Sequence, residues 1–285
     1  MGLPLKPLAL LALAREFQAI SSERAVLAVL GGGELAAALR RELGRGEGAD
    51  ASALAATWQT PAGPATALVW LQAGPLDAAS EAELRAANAA KVPIVAVIVA
   101  SAAPAGADAG AGIRLPYVLA GDHLRIGAGE GFPLDAIGEA LGRRAGEKAS
   151  GIAARLPVLR DGICAGLIKH ASKRNAMVGS VIPIPGADLP VLAVTQLRLV
   201  LRIAHAYGEP VDTTRLPELL GVVVGGLGLR GVARTLAGSL GPGWLVKGAV
   251  AYGGTRAMGE AAVRWFQHRA DGAAGPAPEP PAGAA

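Results

Sequence analysis

Over its first 150 residues the chain alternates between short apolar runs and amphipathic stretches. Runs with almost no polar residue are typical of strands covered on both faces of a parallel sheet. They predict strands at residues 24–30, 66–72, 93–100 and, shorter, 117–120, with an edge strand near 57–59. The amphipathic stretches predict helices at residues 34–43, 134–148 and 81–90, the last capped by Asp77 or Ser80. This alternation of strands and helices predicts an α/β domain over residues 23–150.

Beyond Pro157 the pattern changes, because apolar residues recur with helical spacing. It predicts helices at about 158–180, 187–207, 217–239 and 244–270. Proline and glycine separate these segments, which favours two helical hairpins. The predicted fold class is therefore α/β plus all-α. The predicted organisation is an N-terminal helix over residues 1–22, the α/β domain, a helical domain over 151–270 and a disordered Pro/Ala/Gly tail over 271–285.

The first strand is followed by Gly31, Gly32 and Gly33 and then by a helix, which is the layout of a phosphate-binding loop. Such a loop needs a lysine and a serine or threonine at the helix start, but residues 31–43 contain none of them. Glu34 stands there instead, and its carboxylate repels phosphate. The sheet domain is therefore predicted to be a degenerate, P-loop-like one.

Two further losses support this interpretation. The second strand ends in Gln72 where a metal-binding aspartate is expected, and no guanine-reading motif follows the third strand at Ala100. We therefore expect no nucleotide hydrolysis. Binding without turnover at Gly31–Gly33 stays open, because a helix N-terminus attracts anions.

No other catalytic pattern is visible in the sequence. The four histidines lack metal-ligand spacing, there is no Gly-x-Ser-x-Gly motif, and the single cysteine, Cys164, lies in an apolar run that predicts a buried thiol. We expect no catalytic residue, no metal site and no cofactor.

Charge and hydropathy give the second half a different character from the first. The mean hydropathy of the chain is +0.39 and only 18% of its residues are charged, below the roughly 25% of typical soluble domains. Residues 161–269 hold 12 Lys and Arg against 6 Asp and Glu, a net charge of +6. A basic and apolar region suits an anionic membrane surface or an acidic partner. Nucleic acid is not expected, because clustered basic residues with stacking aromatics are missing.

Six polar residues in the helical domain are candidates for interaction or structural roles. Asp188, Arg198 and Arg202 share one stripe of the second helix, with Thr195 and His205. That stripe is either the wet edge of a core helix or a surface whose arginines reach phosphate headgroups. The other three are Arg230 and Arg234, which interrupt the next apolar run, and Lys247, which either pairs with a carboxylate such as Asp188 or points into a site.

Several short motifs resemble those of a known family. They are Lys173-Arg174-Asn175, Ile182–Pro190, Gln196-Leu197-Arg198 with Ala206-Tyr207-Gly208, and Gly241–Trp244 with Lys247–Tyr252. With them, roughly residues 150–268 resemble the bacterial, GTPase-associated "domain of unknown function 697". The front half resembles the GTPase-type domain often fused to it. The resemblance implies a helical, membrane-associated or GTPase-partner domain and supplies no catalytic residue.

Three hypotheses about function follow. The leading one is a non-enzymatic pseudo-GTPase module at the cytoplasmic side of the membrane, held peripherally or by shallow insertion to anionic lipid or a membrane protein. The second is a soluble cytoplasmic scaffold, with a homo-oligomer as one form. The third is an unorthodox GTP-binding switch.

Overall fold

The computed structural model describes residues 24–100, 113–127, 129–181, 189–209 and 243–273. The helices predicted over 1–22 and 217–239, most of the predicted tail, and three site candidates, Asp188, Arg230 and Arg234, lie outside the described residues. The backbone of Lys247 is described as helical, but its side chain is not.

A five-stranded, wholly parallel sheet forms the first part of the fold, in the order β2-β1-β5-β6-β7. Its strands are β1 (Leu27–Gly31), β2 (Leu54–Ala55), β5 (Ala67–Ala73), β6 (Ile94–Val99) and β7 (His123–Ile126). A small antiparallel pair, β3 (Gln59–Thr60) and β4 (Gly63–Pro64), lies in the connection between β2 and β5. The parallel sheet and the helical part beyond it confirm the predicted fold class.

Helices cover both faces of the sheet, as the continuous apolar strands predict. The helices are α1 (Glu34–Gly44), α2 (Ala78–Ala89) and α3 (Leu134–Ala145). Alternate residues of β1 serve opposite layers, since Leu27 and Val29 pack with α1 and α3, whereas Ala28 and Leu30 pack with α2. Asp77 caps α2 by accepting from the backbone N–H of Ser80 at 2.8 Å.

The edge strands are where the sequence predictions differ from the structure. The strand predicted at 117–120 is wrong, since Tyr117 lies in a turn at φ +66° and residues 120–122 form a 3₁₀ turn. The strand is β7, which pairs on one side only and whose His123 and Arg125 hide the apolar signal. The sheet's other edge is β2, rather than the segment near 57–59.

The described residues of the second part form the helices α4 (Ala149–Arg155), α5 (Arg160–Val181), α6 (Leu189–Ala206) and α7 (Gly243–Ala273). The helix predicted over 134–148 instead ends at Ala145, because Gly146 adopts φ +54° and a 3₁₀ turn follows. The last helix, α7, extends to Ala273, beyond its predicted end at residue 270. Apart from these ends, α5, α6 and α7 lie close to their predicted positions.

The two parts share one hydrophobic cluster. It runs from Leu27 and Val29 of β1, through Ile137 of α3 and Ile163 of α5, to Phe266 of α7, all of them buried. Cys164, at 1% exposure, belongs to it, which confirms the predicted buried thiol. Burial raises the pKa of Cys164 to about 12, so the thiol stays protonated near neutral pH.

Helices α3 and α5 meet backbone to backbone at four glycines. We call this contact the glycine seam, and it consists of Gly138 and Gly142 on α3 and Gly162 and Gly166 on α5. A Cβ added to Gly142 would lie 2.3 Å from the carbonyl oxygen of Ile163, and one added to Gly166 would lie 2.2 Å from that of Glu139. Because α3 also packs on the sheet, the seam joins the helical part directly to the α/β part.

Candidate functional site

The carboxyl ends of β1 and β5 form the first candidate site. In the sheet, β2 lies on one side of β1 and β5, the next strand of this sheet along the chain, lies on the other. The strand order therefore reverses at β1, and open α/β sheets bind ligands at such a switch point. The glycines predicted as a vestigial phosphate loop lie at this point, with φ values of +80° at Gly31 and +44° at both Gly32 and Gly33. Gly31 must be glycine, since a Cβ there would lie 2.2 Å from the carbonyl oxygen of Leu71.

The polar side chains around this turn form hydrogen bonds with other residues of the chain. The amide of Gln72 accepts from Nε1 of Trp70 at 2.9 Å and donates to the carbonyls of Gly74 and Pro75 at 3.1 and 3.0 Å. The guanidinium of Arg40 donates to the carbonyl of Val29. Gln72 therefore shapes the loop after β5, and Arg40 supports β1. Phosphate binding by Gly31–Gly33 remains a prediction.

The polar stripe of α6 faces neighbouring segments of the same chain. The hydroxyl of Thr195 donates to Oδ1 of Asn175 on α5 at 2.8 Å. Arg202 forms an ion pair with Glu147, and its side chain is 12% exposed. Nδ1 of His205 lies 3.2 Å from Oγ of Ser150, and burial lowers the pKa of this histidine. Much of the stripe, which was predicted either as a wet edge or as a surface for phosphate headgroups, thus holds α6 against α5 and against the segment around α4.

A buried polar cluster joins α5, α6 and α7. Asn175 and Thr255 are both fully buried, and Nδ2 of Asn175 donates to Oγ1 of Thr255 at 2.9 Å. Oγ1 of Thr255 in turn donates to the carbonyl of Ala251 at 2.8 Å. With the bond from Thr195, the amide of Asn175 links one residue on each neighbouring helix, which fixes how the three helices meet.

The opposite side of α5 is exposed and basic. Lys169, His170, Lys173 and Arg174 are all exposed there and form what we call the basic face. Met177, 64% exposed, lies one turn beyond Lys173. Nζ of Lys169 contacts Glu139 at 2.8 Å, which also lowers the pKa of that carboxyl. The face therefore combines positive charge with an exposed apolar side chain.

A recess of about 40 Å³ opens beside the basic face, between α5 and α6. Four of its lining residues are basic: His170, Arg174, Arg198 and Arg202. Glu147 contributes one carboxylate. The recess thus brings together two predicted site residues, Arg198 and Arg202, with two residues of α5 that were not predicted as site residues. The sequence signal for these two α5 residues is that basic side chains recur four positions apart, at 169 and 173 and again at 170 and 174.

A larger groove of about 490 Å³ lies between α3, α5 and α7. Its charged lining residues are Glu139, Asp161, Lys169, Arg256, Glu260 and Arg264. Nε of Arg256 contacts Glu260 at 2.7 Å, so this carboxylate pairs with Arg256 on the same helix. Charges of both signs surround an apolar floor that includes Ile168 and Val263.

The described ranges hold neither a cluster of metal-binding side chains nor a helix that could span a membrane. These ranges contain no group of three His, Cys, Asp or Glu side chains placed to hold a metal ion. The helices within them are each too short or too polar to cross a bilayer.

The fold and these surfaces define a protein with a parallel α/β part and a helical part. Residues 143–282 match the model of a family described as "Domain of unknown function (DUF697)". This region of the chain is therefore similar to that family, in agreement with the resemblance of the helical motifs. Comparisons of the chain with curated proteins and with solved structures gave no match.

Proposed function

We propose that this protein is a non-enzymatic module that associates with an anionic membrane surface through its helical part. The basic face of α5 carries this proposal. Lys169, His170, Lys173 and Arg174 lie together on one exposed helix surface, and Met177 adds an apolar contact at one end. On the cytoplasmic leaflet such a surface meets phosphate headgroups of opposite charge.

The energetics favour association that is peripheral and sensitive to salt. Each lysine or arginine near an anionic bilayer contributes about 1 kcal/mol, and the contribution falls off within a Debye length. Lys169 contributes less, because its ammonium group is already shared with Glu139. A few basic residues and one methionine thus give weak, reversible binding, which a second anchor or a partner would strengthen.

The α/β part supports a role without catalysis. The turn Gly31–Gly33 leads directly into α1, and the first side chain of that helix is the carboxylate of Glu34. Gln72, where a catalytic metal ligand is expected, bonds to its own loop. We propose that this part serves as a scaffold for the helices.

Vesicle flotation tests the membrane proposal. The purified chain is expected to float with phosphatidylcholine vesicles that contain phosphatidylglycerol, at low salt, and to stay at the bottom with pure phosphatidylcholine. The double variant Lys173→Glu, Arg174→Glu should lose flotation. Its matched control is Arg41→Glu, Arg45→Glu, which makes the same charge change at exposed positions of α1 and its C-terminal cap. Equal loss in both variants, or no flotation of the parent chain, contradicts the proposal.

The mixed-charge groove between α3, α5 and α7 favours a second candidate, a soluble protein that binds a partner or a second copy. Light scattering of the chain purified without detergent distinguishes the two. A discrete oligomer with no vesicle binding favours this candidate over the first.

A nucleotide-binding switch is the third candidate, and it rests on the glycine turn at the β1/β5 switch point. Calorimetry with GDP, GTP and ATP tests it, with Gly32→Asp as the variant that should abolish any signal. No heat at high ligand concentration ends this candidate.

A further inference from the structure

We infer that the contact between Glu139 of α3 and Lys169 of α5 is autoinhibitory, because it withholds one cation of the basic face from an anionic membrane. The inference rests on the proposed function, since it names a regulation of the same surface. Nζ of Lys169 lies 2.8 Å from Oε1 of Glu139. A membrane against the basic face offers phosphate to the same ammonium group, so carboxylate and phosphate compete for it.

The glycine seam holds this carboxylate beside α5. A Cβ added to Gly166 would lie 2.2 Å from the carbonyl oxygen of Glu139 and 2.9 Å from the backbone nitrogen of Arg143. Lys169 follows Gly166 by three positions, which places it on the adjoining turn of α5. Ion pairs at a surface usually contribute little, because two long side chains must be ordered. Here the two backbones already touch, so less ordering is needed.

A second cation keeps Glu139 in place from the α/β part. Nη1 of Arg143 contacts the same carboxylate oxygen, Oε1, at 2.7 Å. Nη2 of Arg143 donates to the carbonyl of Gly121 at 3.0 Å and lies 3.4 Å from Oδ1 of the buried Asp122. Gly121 and Asp122 belong to the turn that leads into β7. When Lys169 moves to a phosphate, Glu139 therefore keeps Arg143 as its partner.

The pair is accessible to a membrane and remains charged near neutral pH. The side chains of Lys169 and Glu139 are 45% and 33% exposed. The hydrogen bond from Lys169 lowers the pKa of Glu139, so mild acid does not neutralise the carboxylate or release the lysine. The contact therefore limits how tightly the basic face binds, and the competing anion releases it.

Removing the carboxylate should strengthen membrane binding. Titration with phosphatidylcholine vesicles that contain phosphatidylglycerol measures the affinity. Glu139→Gln should raise it about fivefold, equivalent to about 1 kcal/mol, which is the contribution of one lysine near an anionic bilayer. The titration is made at an ionic strength of about 0.15 M, because charges more than about 8 Å apart are then largely screened.

Two controls separate the release of Lys169 from the change in net charge. Glu42→Gln removes one negative charge from an exposed position of α1 and should leave the affinity nearly unchanged. The second control adds Glu139→Gln to Lys169→Gln. That step should gain only about twofold, because no ammonium group is released and only the repulsion between carboxylate and phosphate is lost.

Lysine labelling tests the contact without a membrane. An acetylating reagent modifies accessible amines, and mass spectrometry identifies which lysines have reacted. In the parent chain Lys169 should react more slowly than Lys173, which is exposed one turn further along α5. In Glu139→Gln the two lysines should react at similar rates.

The outcomes distinguish this inference from the proposed function. A fivefold gain that shrinks in the Lys169→Gln background, with faster labelling of Lys169, supports the inference. Equal gains in both backgrounds overturn it, as does a parent chain in which Lys169 reacts as fast as Lys173. Vesicle binding by the parent chain without a gain in Glu139→Gln overturns the inference and leaves the membrane proposal standing. No vesicle binding by either chain overturns both.

Discussion

The α/β part and the helical part bury their contacts in different ways. The sheet strands use large apolar side chains such as Leu27, Val69 and Ile98, which fill layers on both faces. The helical part relies instead on the buried polar cluster around Asn175, and its junction with α3 relies on very close backbone approach at the glycine seam. Glycine itself serves different purposes, since it permits an unusual backbone at Gly31 and removes side-chain volume at Gly142.

This difference explains how a chain with few aromatic residues builds a continuous core. Apolar layers tolerate small changes of volume, because neighbouring side chains repack. Backbone atoms in direct contact cannot repack in the same way, so each seam position accepts only hydrogen as a side chain. The seam that joins α3 to the helical part should therefore be more sensitive to small substitutions than the side-chain layers of the sheet.

The largest effect is expected at the glycine seam. Gly142→Val places a branched side chain where even a Cβ would lie 2.3 Å from the carbonyl oxygen of Ile163 and 3.0 Å from Cα of Gly166. Because both neighbours are backbone, α3 and α5 must separate, and we expect the free energy of unfolding to fall by about 3 kcal/mol or more. Urea unfolding followed by circular dichroism measures this change.

Gly253→Ala is the matched control for the seam. Gly253 lies within α7, and no other described segment has an atom within 4 Å of a Cβ added there. Alanine favours a helix over glycine by about 1 kcal/mol, so this variant should be slightly more stable than the parent chain. If Gly142→Val is as well tolerated as Gly253→Ala, the close approach of the two helices is wrong.

A smaller effect is expected at the turn of the α/β part. Gly31→Ala combines a left-handed backbone, which costs about 1 to 2 kcal/mol, with a Cβ 2.2 Å from the carbonyl oxygen of Leu71. Gly33→Ala also replaces a glycine with positive φ, but its Cβ meets no atom of another described segment within 4 Å. Thermal unfolding should rank Gly31→Ala below Gly33→Ala, and equal losses would show that the carbonyl of Leu71 moves away without cost.

The sequence predicted elements more reliably than it predicted how they meet. The strands at the centre of the sheet were predictable, because residues covered on both faces must be apolar. The short edge strand β7 was not, since only one neighbour pairs with it and His123 and Arg125 interrupt its pattern. Pairs of glycines at i,i+4 spacing were visible at positions 138 and 142 and at 162 and 166, but spacing alone does not reveal which helices touch.

The candidate site was predicted in part for the same reason. Arg198 and Arg202 were singled out from the stripe of α6, yet their neighbours in the recess come from α5 and from Glu147, which lies before α4. Only packing brings these segments together. Asp188, Arg230 and Arg234 remain predictions, as does the role of the side chain of Lys247.

A further loss of stability is expected at the buried polar cluster. Asn175→Ala removes the amide that bonds to Thr195 and Thr255, and it leaves a small cavity and one hydrogen bond fewer at each hydroxyl. Each lost hydrogen bond costs about 0.5 to 1.5 kcal/mol, so we expect the free energy of unfolding, measured in urea, to fall by about 2 kcal/mol. The double variant with Thr255→Val should cost less than the sum of the single variants. Additive losses would show that the two side chains are not coupled.

The smallest effect is expected in acid, at the contact that joins the two parts. The carboxylate of Asp50 accepts from Ser52 and from Arg155 at the end of α4, and these bonds lower its pKa from 3.8 to about 2. The pKa in the folded state lies below that in the unfolded state, so this contribution to stability is complete above pH about 4 and is lost as the pH falls towards about 2. Asp50 is exposed, so salt should weaken the effect.

Urea unfolding between these pH values should show a shallower acid loss in Asp50→Asn than in the parent chain. Asp77→Asn is the comparison within the α/β part, because the carboxyl of Asp77 also has a lowered pKa, through Ser80 in its own helix cap. Arg155→Gln should make the acid loss of stability shallower in the parent chain but should not change it in Asp50→Asn. The same change in both backgrounds would mean that Arg155 stabilises the junction without this carboxylate.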